Sequence, residues 1–301
     1  MAKSQGLTPD RKRVRELEKF YSIMANRIQR ELLAFDAANY TELKAISLQN
    51  EVNRMVKDMN IFAVKWSDAA TPEAYKQAEQ IATVALDILG KKPDPLFKKN
   101  VHKQSIEEAA DKTIEDLMAA NNSIKINVNL YIYLMKRAND AIMSVRFWDL
   151  RDEEVISGLL DETIQSGGSR TDLQRLIRIH FDRDVREKKF ININGRNYNL
   201  TKYAENVART RLRTVQTRGV LNTCQQYDND LVEVSDHGSE FVDQCLDYEG
   251  NTYSIGGKTP GYEVLDIWPP FHPQCEHSIM PTSILAQEAR KHLPASSVLG
   301  G

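Results

Sequence analysis

The chain has 301 residues, 41% of them hydrophobic and 27% charged, which is enough for a buried core and for two domains or one large one. That balance excludes a wholly disordered or collagen-like chain, and no run approaches the roughly 18 apolar residues of a membrane-spanning helix. The net charge of −2 hides an asymmetry: residues 170–220 carry thirteen Lys/Arg against five acids, and residues 230–301 carry three against eleven. Such blocks mark either a polyanion-facing surface beside an acidic module or two surfaces that neutralise each other. The N-terminus runs into Asp10-Arg11-Lys12-Arg13 without an apolar segment, so it does not read as a secretory signal. Three cysteines, an odd number, exclude a disulfide scaffold and fit a protein folded in a reducing cytoplasm.

Glycine and proline divide the chain. The first 150 residues hold two Gly and four Pro, and the last 72 hold seven and six. The N-terminal half therefore reads as long helices and the C-terminal quarter as strands and turns. Thr8-Pro9 opens the first helix. Its apolar stripe is Val14, Leu17, Tyr21, Met24, Ile28, Leu32 and Phe35. After a break at Asp36 to Tyr40, Thr41 caps a second helix carrying Leu43, Ile46, Leu48, Val52, Met55 and Met59. Thr71-Pro72 starts a third helix, which stops near Gly90 before the linker-like Lys91-Lys92-Pro93-Asp94-Pro95. Ser105 caps a helix from Ile106 to Ala120, and Ile124 to Leu150 is another.

Beyond residue 151 the elements shorten. Asp152 to Gln165 reads as a helix ended by Ser166-Gly167-Gly168, and Ser169 with Asp172 resembles a capping box for a helix through His180. Asn194-Gly195 inside Phe190 to Tyr198 is a strong hairpin signal. A helix follows from about Thr201 to Gln226, then strands at Leu231 to Val234, Tyr262 to Trp268 and around Ile279, and a closing helix near Ser283 to His292. The expected fold is α+β: an elongated helical region over residues 1–150, then a smaller mixed domain with antiparallel β-hairpins over 151–301.

The residues able to carry chemistry gather late in the chain. Cys245, His272, Cys275 and His277 form a Cys2His2 set, the soft thiolate and imidazole donors of a structural zinc site. The alternative is a turn fixed by Pro269, Pro270 and Pro273. Catalytic signatures are missing: there is no HExxH, GxSxG or Walker A loop, and the zinc-deaminase pattern fails at both of its nearest matches. A nucleophilic pair of Cys275 with His277 or His237 lacks a recognisable third group. Arg209, Arg213 and Arg218, with Lys188 and Lys189, could reach phosphates without base readout; salt bridges to the acidic tail are the competing expectation.

The order of these pieces resembles a known family. A basic helix with Ala208-Arg209-Thr210 is followed by the strand at Leu231, by Asp243 to Gly250, and by Pro-Pro-x-His-Pro-x-Cys at Pro269 to Cys275. This pattern is similar to the phage Mu F-like minor head proteins, also called the head morphogenesis domain, over roughly residues 150–282. Val242 stands where the family usually has the first cysteine of a Cys-x-x-Cys pair, Arg211 stands where an acid is usual, and Glu276-His277 replaces Arg-Cys. His277 would then take over the place of a thiolate ligand. The resemblance implies a minor head protein of a tailed bacteriophage, internal to the head and virion-borne after assembly in the host cytoplasm. It also implies contact with the portal, other head proteins and packaged DNA, a role in packaging and DNA ejection, and no enzymatic activity. The 301 residues leave no room for the C-terminal toxin domain of some relatives. The rival reading is a small zinc-dependent hydrolase or toxin-like enzyme built on Cys245, His272, Cys275 and His277.

Overall fold

The computed structural model describes residues 11–35, 40–98, 100–143, 185–193, 196–236, 243–273 and 275–291. Its elements are α1 (Arg11–Ala34), α2 (Glu42–Ile88), α3 (Asn100–Met143), β1 (Ile191–Ile193), β2 (Arg196–Tyr198), α4 (Leu200–Gln226), β3 (Leu231–Val234), α5 (Asp243–Leu246), β4 (Thr252–Ser254), β5 (Ile279–Pro281) and α6 (Ile284–Lys291). Long helices followed by a small antiparallel sheet make the fold α+β, as the sequence implies. The expected Thr8-Pro9 start, the two helices between Asp152 and His180, and the Asn194-Gly195 turn lie outside the described residues.

The chain separates into two compact units: Leu17–Val64 with Glu115–Ala204, and Met1–Glu16 with Lys65–Ile114 and Glu205–Gly301. The first is a helical packing problem solved by periodicity. Leu17, Tyr21, Ala25, Ile28 and Leu32 of α1 are buried at steps of three and four, as are Leu48, Val52, Met55 and Met59 of α2 and Leu117, Ala120, Ile124, Val128 and Tyr131 of α3. Each large side chain so buried contributes about 1.5–3 kcal/mol. Leu43 and Ile46, apolar residues of the same helix, are 81% and 51% exposed, because Ala45 and Leu48 hold the inner face. Thr41 does cap α2, its Oγ1 accepting the Lys44 N–H at 3.2 Å. The β1–β2 hairpin pairs Ile191 with Tyr198 and Ile193 with Arg196. It is tied to the helices by Asn127 Nδ2 donating to the Phe190 carbonyl at 2.8 Å and by Gln29 Nε2 donating to the Val185 carbonyl at 3.0 Å.

Three expected helix boundaries are absent. α2 runs 47 residues straight through Pro72. A proline inside a helix costs about 3 kcal/mol, but Ala70, Thr71, Ala74, Tyr75 and Ala78 around it are all buried, and that packing outweighs the missing N–H. α3 likewise runs 44 residues without stopping at Ser105 or at Asn121-Asn122-Ser123. Ser105 and Asn121 are not caps: Ser105 Oγ accepts from Asn222 Nδ2 at 2.8 Å, and Asn121 Nδ2 donates to Asn60 Oδ1 at 2.8 Å. Tertiary partners satisfy groups that the sequence pattern assigns to helix ends. The stop near Gly90 is real. Gly90 has φ +72°, its N–H reaches the Asp87 carbonyl, and the Lys91 N–H reaches the Leu86 carbonyl, the paired bonds of a Schellman ending.

In the second unit, β3 is the central strand of an antiparallel sheet in the order β4-β3-β5. Val232 lies opposite both Tyr253 and Pro281, and Val234 opposite Ile279. Val232, Val234, Tyr253 and Ile279 form one core with Ala78 and Ala82 of α2 and with Val220 and Cys224 of α4. The expected strand over Tyr262 to Trp268 is not formed; one bridge, Ser254 to Val264, is all the pairing its residues make. The place beside β3 is taken by β4, which is three residues long and too short to show alternation in the sequence. Asp230 braces the adjoining turn. Its carboxylate accepts from Ser254 Oγ at 2.6 Å and from the Gly256 N–H, Thr259 N–H and Thr259 Oγ1 at 2.8 Å each.

Candidate metal centre

Three segments of the second unit converge at one end of this sheet. Cys245 lies on the single-turn helix α5, whose chain turns back at Gly250 (φ +68°), where the Gly250 N–H binds the Val234 carbonyl. Cys275 and His277 lie on the stretch that becomes β5. Ser278 and Ser235 continue the β3–β5 ladder beyond its named ends, the Ser235 N–H donating to the Ser278 carbonyl at 2.9 Å and the Ser278 N–H to Ser235 Oγ at 3.0 Å. α4 supplies Arg213. The sheet thus fixes the backbone on which the two ligand-type side chains sit two residues apart.

The geometry is compact. Cys245 Sγ and Cys275 Sγ are 4.0 Å apart, and Cys275 Sγ is 3.4 Å from His277 Nδ1. Ligand atoms of all three residues fall within 4.8 Å of one another, and all three are buried. On a tetrahedral zinc with bonds of about 2.3 Å to sulfur and about 2.0 Å to nitrogen, two sulfurs stand roughly 3.8 Å apart and sulfur and nitrogen roughly 3.5 Å. The donor set and spacing therefore fit a soft divalent cation, and such a cation would be held by Cys245, Cys275 and His277. His272 is not brought into the cluster; its Nδ1 lies 2.8 Å from the carbonyl of Pro273.

Electrostatics separate the two thiols. Burial raises both, and for Cys245 the neighbouring Cys275 adds to it, pushing that thiol up to about 12. At Cys275 burial is outweighed by hydrogen bonds from the His277 ring and from the backbone at Phe271 and His277, which bring the thiol down to about 7. His277 is shifted upward: burial opposes the shift, but its bonds to Cys275 and Glu249 outweigh it. The ring's other nitrogen, Nε2, is 2.7 Å from Glu249 Oε1, with both side chains nearly buried at 5% and 9% exposure.

Two site residues escape sequence reasoning. Glu249 is the third group that the Cys275–His277 pair lacks in the sequence, and only its position after α5 brings it there. Arg213 reads in the sequence as a phosphate-facing cation of a basic helix. It is instead 2% exposed, with Nη2 donating to the Glu276 carbonyl at 3.0 Å and Nη1 to Gln216 Oε1 at 3.3 Å. Burial lowers its guanidinium to about 10, against the pull of Cys275 and Glu276. The interleaving of Arg213 with buried Leu212, Val215 and Gln216 is the only sequence signal of an inward-facing cation.

The other basic residues remain at the surface. Arg209 pairs with Glu205 at 2.9 Å and Lys189 with Glu187, while Arg218 is exposed and Lys188 is half-buried with φ +54°. Lys188 and Lys189 belong to the first unit, and Arg209 and Arg218 to the second.

Residues 160–281 match the family model of Phage minor capsid protein 2. The match supports a phage minor head protein family for this segment. The matched residues contain α4, the whole three-stranded sheet and the residues Arg213, Cys245, Glu249, Cys275 and His277. The match supports a phage head protein located in the virion. No curated protein and no solved structure matches the chain. No described helix is long and apolar enough to cross a membrane.

Proposed function

We propose that the protein is an internal minor head component of a tailed phage that associates with the portal and other head proteins. It acts there in head morphogenesis, genome packaging and DNA ejection. The observation that carries this reading is the minor capsid match over residues 160–281. In this reading residues 151–301 form the head-morphogenesis part, and the helical residues 1–150 supply length and surface for docking. Assembly takes place in the host cytoplasm. Arg209, Arg218, Lys188 and Lys189 contribute non-specific phosphate contacts to packaged DNA. Quantitative mass spectrometry of purified particles tests it: a few copies per particle at a fixed ratio to portal subunits is expected. Absence from both particles and assembly intermediates overturns the reading.

The metal centre serves this role as a structural cross-link. A zinc ion bound to Cys245, Cys275 and His277 would lock α5 to the β5 strand, replacing packing that a three-stranded sheet cannot supply alone. The metal-free alternative, a nucleophilic Cys275, gains the Glu249–His277–Cys275 relay, whose order is that of orienter, base and nucleophile. Against it, Cys275 and His277 are only 7% and 4% exposed, which is little surface for a substrate to reach. The structural reading is therefore preferred.

A further inference from the structure

Resting on that metal reading, we propose that Glu249 and Arg213 are positioning residues of the centre: Glu249 sets the ring of His277 for metal binding, and Arg213 fixes the peptide between two ligands. Glu249 Oε1 occupies His277 Nε2 at 2.7 Å. A carboxylate can only accept, so Nε2 keeps its proton; when a metal displaces the Nδ1 proton, the Nδ1 lone pair lies on the side of Cys275 Sγ, 3.4 Å away. Carboxylate–imidazole pairs of this kind fix tautomer and ring direction in metal sites and raise the basicity of the ligand.

Arg213 acts from the other side. Its guanidinium grips the carbonyl of Glu276, the residue between Cys275 and His277, and so restrains the turn on which both ligands depend. Its own placement is held through Gln216, whose Nε2 reaches Gln77 Oε1 on α2 at 3.3 Å. The charges also balance. Two thiolates, a dication and a neutral imidazole sum to zero, and the buried Arg213 and Glu249 cancel each other. Buried charges are tolerated when they are mutually compensated and hydrogen-bonded in this way.

The test is zinc affinity measured by competition with a chromophoric chelator, together with the absorption spectrum of the cobalt(II)-substituted full-length protein. Glu249→Gln keeps an acceptor but loses the charge, and Glu249→Ala loses both. The expected order of affinity is wild type, then Glu249→Gln, then Glu249→Ala, with a total loss of about 10–100-fold. Arg213→Met is expected to weaken binding in the same range, and Arg213→Lys to recover part of it. In the cobalt protein the thiolate charge-transfer bands should persist in Glu249→Gln while the ligand-field bands shift, because both sulfurs stay bound and only the imidazole is disturbed. A merely structural role for Glu249 would leave those bands alone. Wild-type affinity and an unchanged spectrum in Glu249→Gln and Glu249→Ala would overturn the proposal and leave the metal site standing. A wild-type protein that takes up neither zinc nor cobalt overturns the metal reading itself, and this one with it.

Discussion

Gly219 of α4 packs so closely on Ala78 of α2 that a Cβ added at Gly219 would lie 3.0 Å from the Ala78 Cβ and 3.1 Å from the Tyr75 carbonyl oxygen. Neither neighbour is a flexible side-chain end, so neither can yield. Two opposing effects set the outcome of Gly219→Ala. Replacing glycine inside a helix gains about 1 kcal/mol of propensity, while overpacking a tight contact costs about 1–3 kcal/mol. The clash wins, and Gly219→Ala is expected to destabilise by about 1 kcal/mol and Gly219→Val by more, read from chemical denaturation. A stabilised Gly219→Ala protein would show that the helices separate without cost.

Beside that contact lies a buried polar chain. Asn222 donates to Tyr75 Oη at 2.7 Å and to Ser105 Oγ at 2.8 Å, and Tyr75 Oη meets His102 Nδ1 at 2.9 Å. Burial pushes the Tyr75 phenol up to about 12, so it stays a neutral donor throughout the physiological range. Asn222→Leu removes one hub and takes a donor from each of two buried hydroxyls, leaving Tyr75 Oη with His102. Its expected cost is about 2–3 kcal/mol, checked by denaturation. The double variant Asn222→Leu/Tyr75→Phe should cost less than the sum of the two single changes.

Asp230 contributes to the acid response of the second unit. Burial would raise its carboxyl, but bonds from Ser254, Gly256 and Thr259 outweigh that and hold it below its ordinary value of 3.8. The stability it contributes is complete above that value and is lost as pH falls through the lower folded one. Asp230→Asn is expected to cost about 1–3 kcal/mol at pH 7. Wild type and variant should converge as the pH falls below 3.8. A gap that stays constant down to pH 2 would remove the charge from the explanation.

These sites show which parts of the fold are legible in the sequence. Stripes such as Leu17, Tyr21, Ile28 and Leu32 are readable because one helix face repeats locally. Thr41 and Gly90 are readable because a cap and a stop act within five residues. Pro72, Ser105 and Asn121 mislead for the opposite reason: their partners are far along the chain, and packing overrides the local signal. The cysteines and His277 are visible as ligand types at suggestive spacing. Glu249 and Arg213 are not, since one looks like any loop acid and the other like any cation of a basic helix. Only the fold, by bringing α4 and the turn after α5 to the end of β5, assigns them.

Chelation tests the metal centre in solution. Stripping the ion with a strong chelator should lower the melting temperature and expose Cys245 and Cys275 to alkylation, with Cys275 reacting first because its thiol lies near 7 and that of Cys245 near 12. Cys224, buried in the core and raised to about 12, should stay unreactive until global unfolding. Re-addition of zinc should reverse both effects. Equal alkylation rates with and without zinc would exclude Cys245 and Cys275 as ligands.

The surface cations make a separate claim on DNA. Each phosphate neutralised on a duplex contributes about −0.9 to the slope of log affinity against log salt. Arg209 spends part of its charge on Glu205, at 2.9 Å, and Lys189 on Glu187, so Arg218 is the cation expected to matter most. Arg218→Ala should flatten the slope by about 1 and weaken binding to all duplex sequences alike. Arg213→Met, by contrast, should leave the slope unchanged, because its guanidinium is turned inward onto the Glu276 carbonyl. Fluorescence anisotropy across a salt series separates these outcomes. A flat slope for wild type removes DNA as a partner of this basic helix, and an equal loss in Arg213→Met and Arg218→Ala would show that fold integrity, not phosphate contact, had been measured.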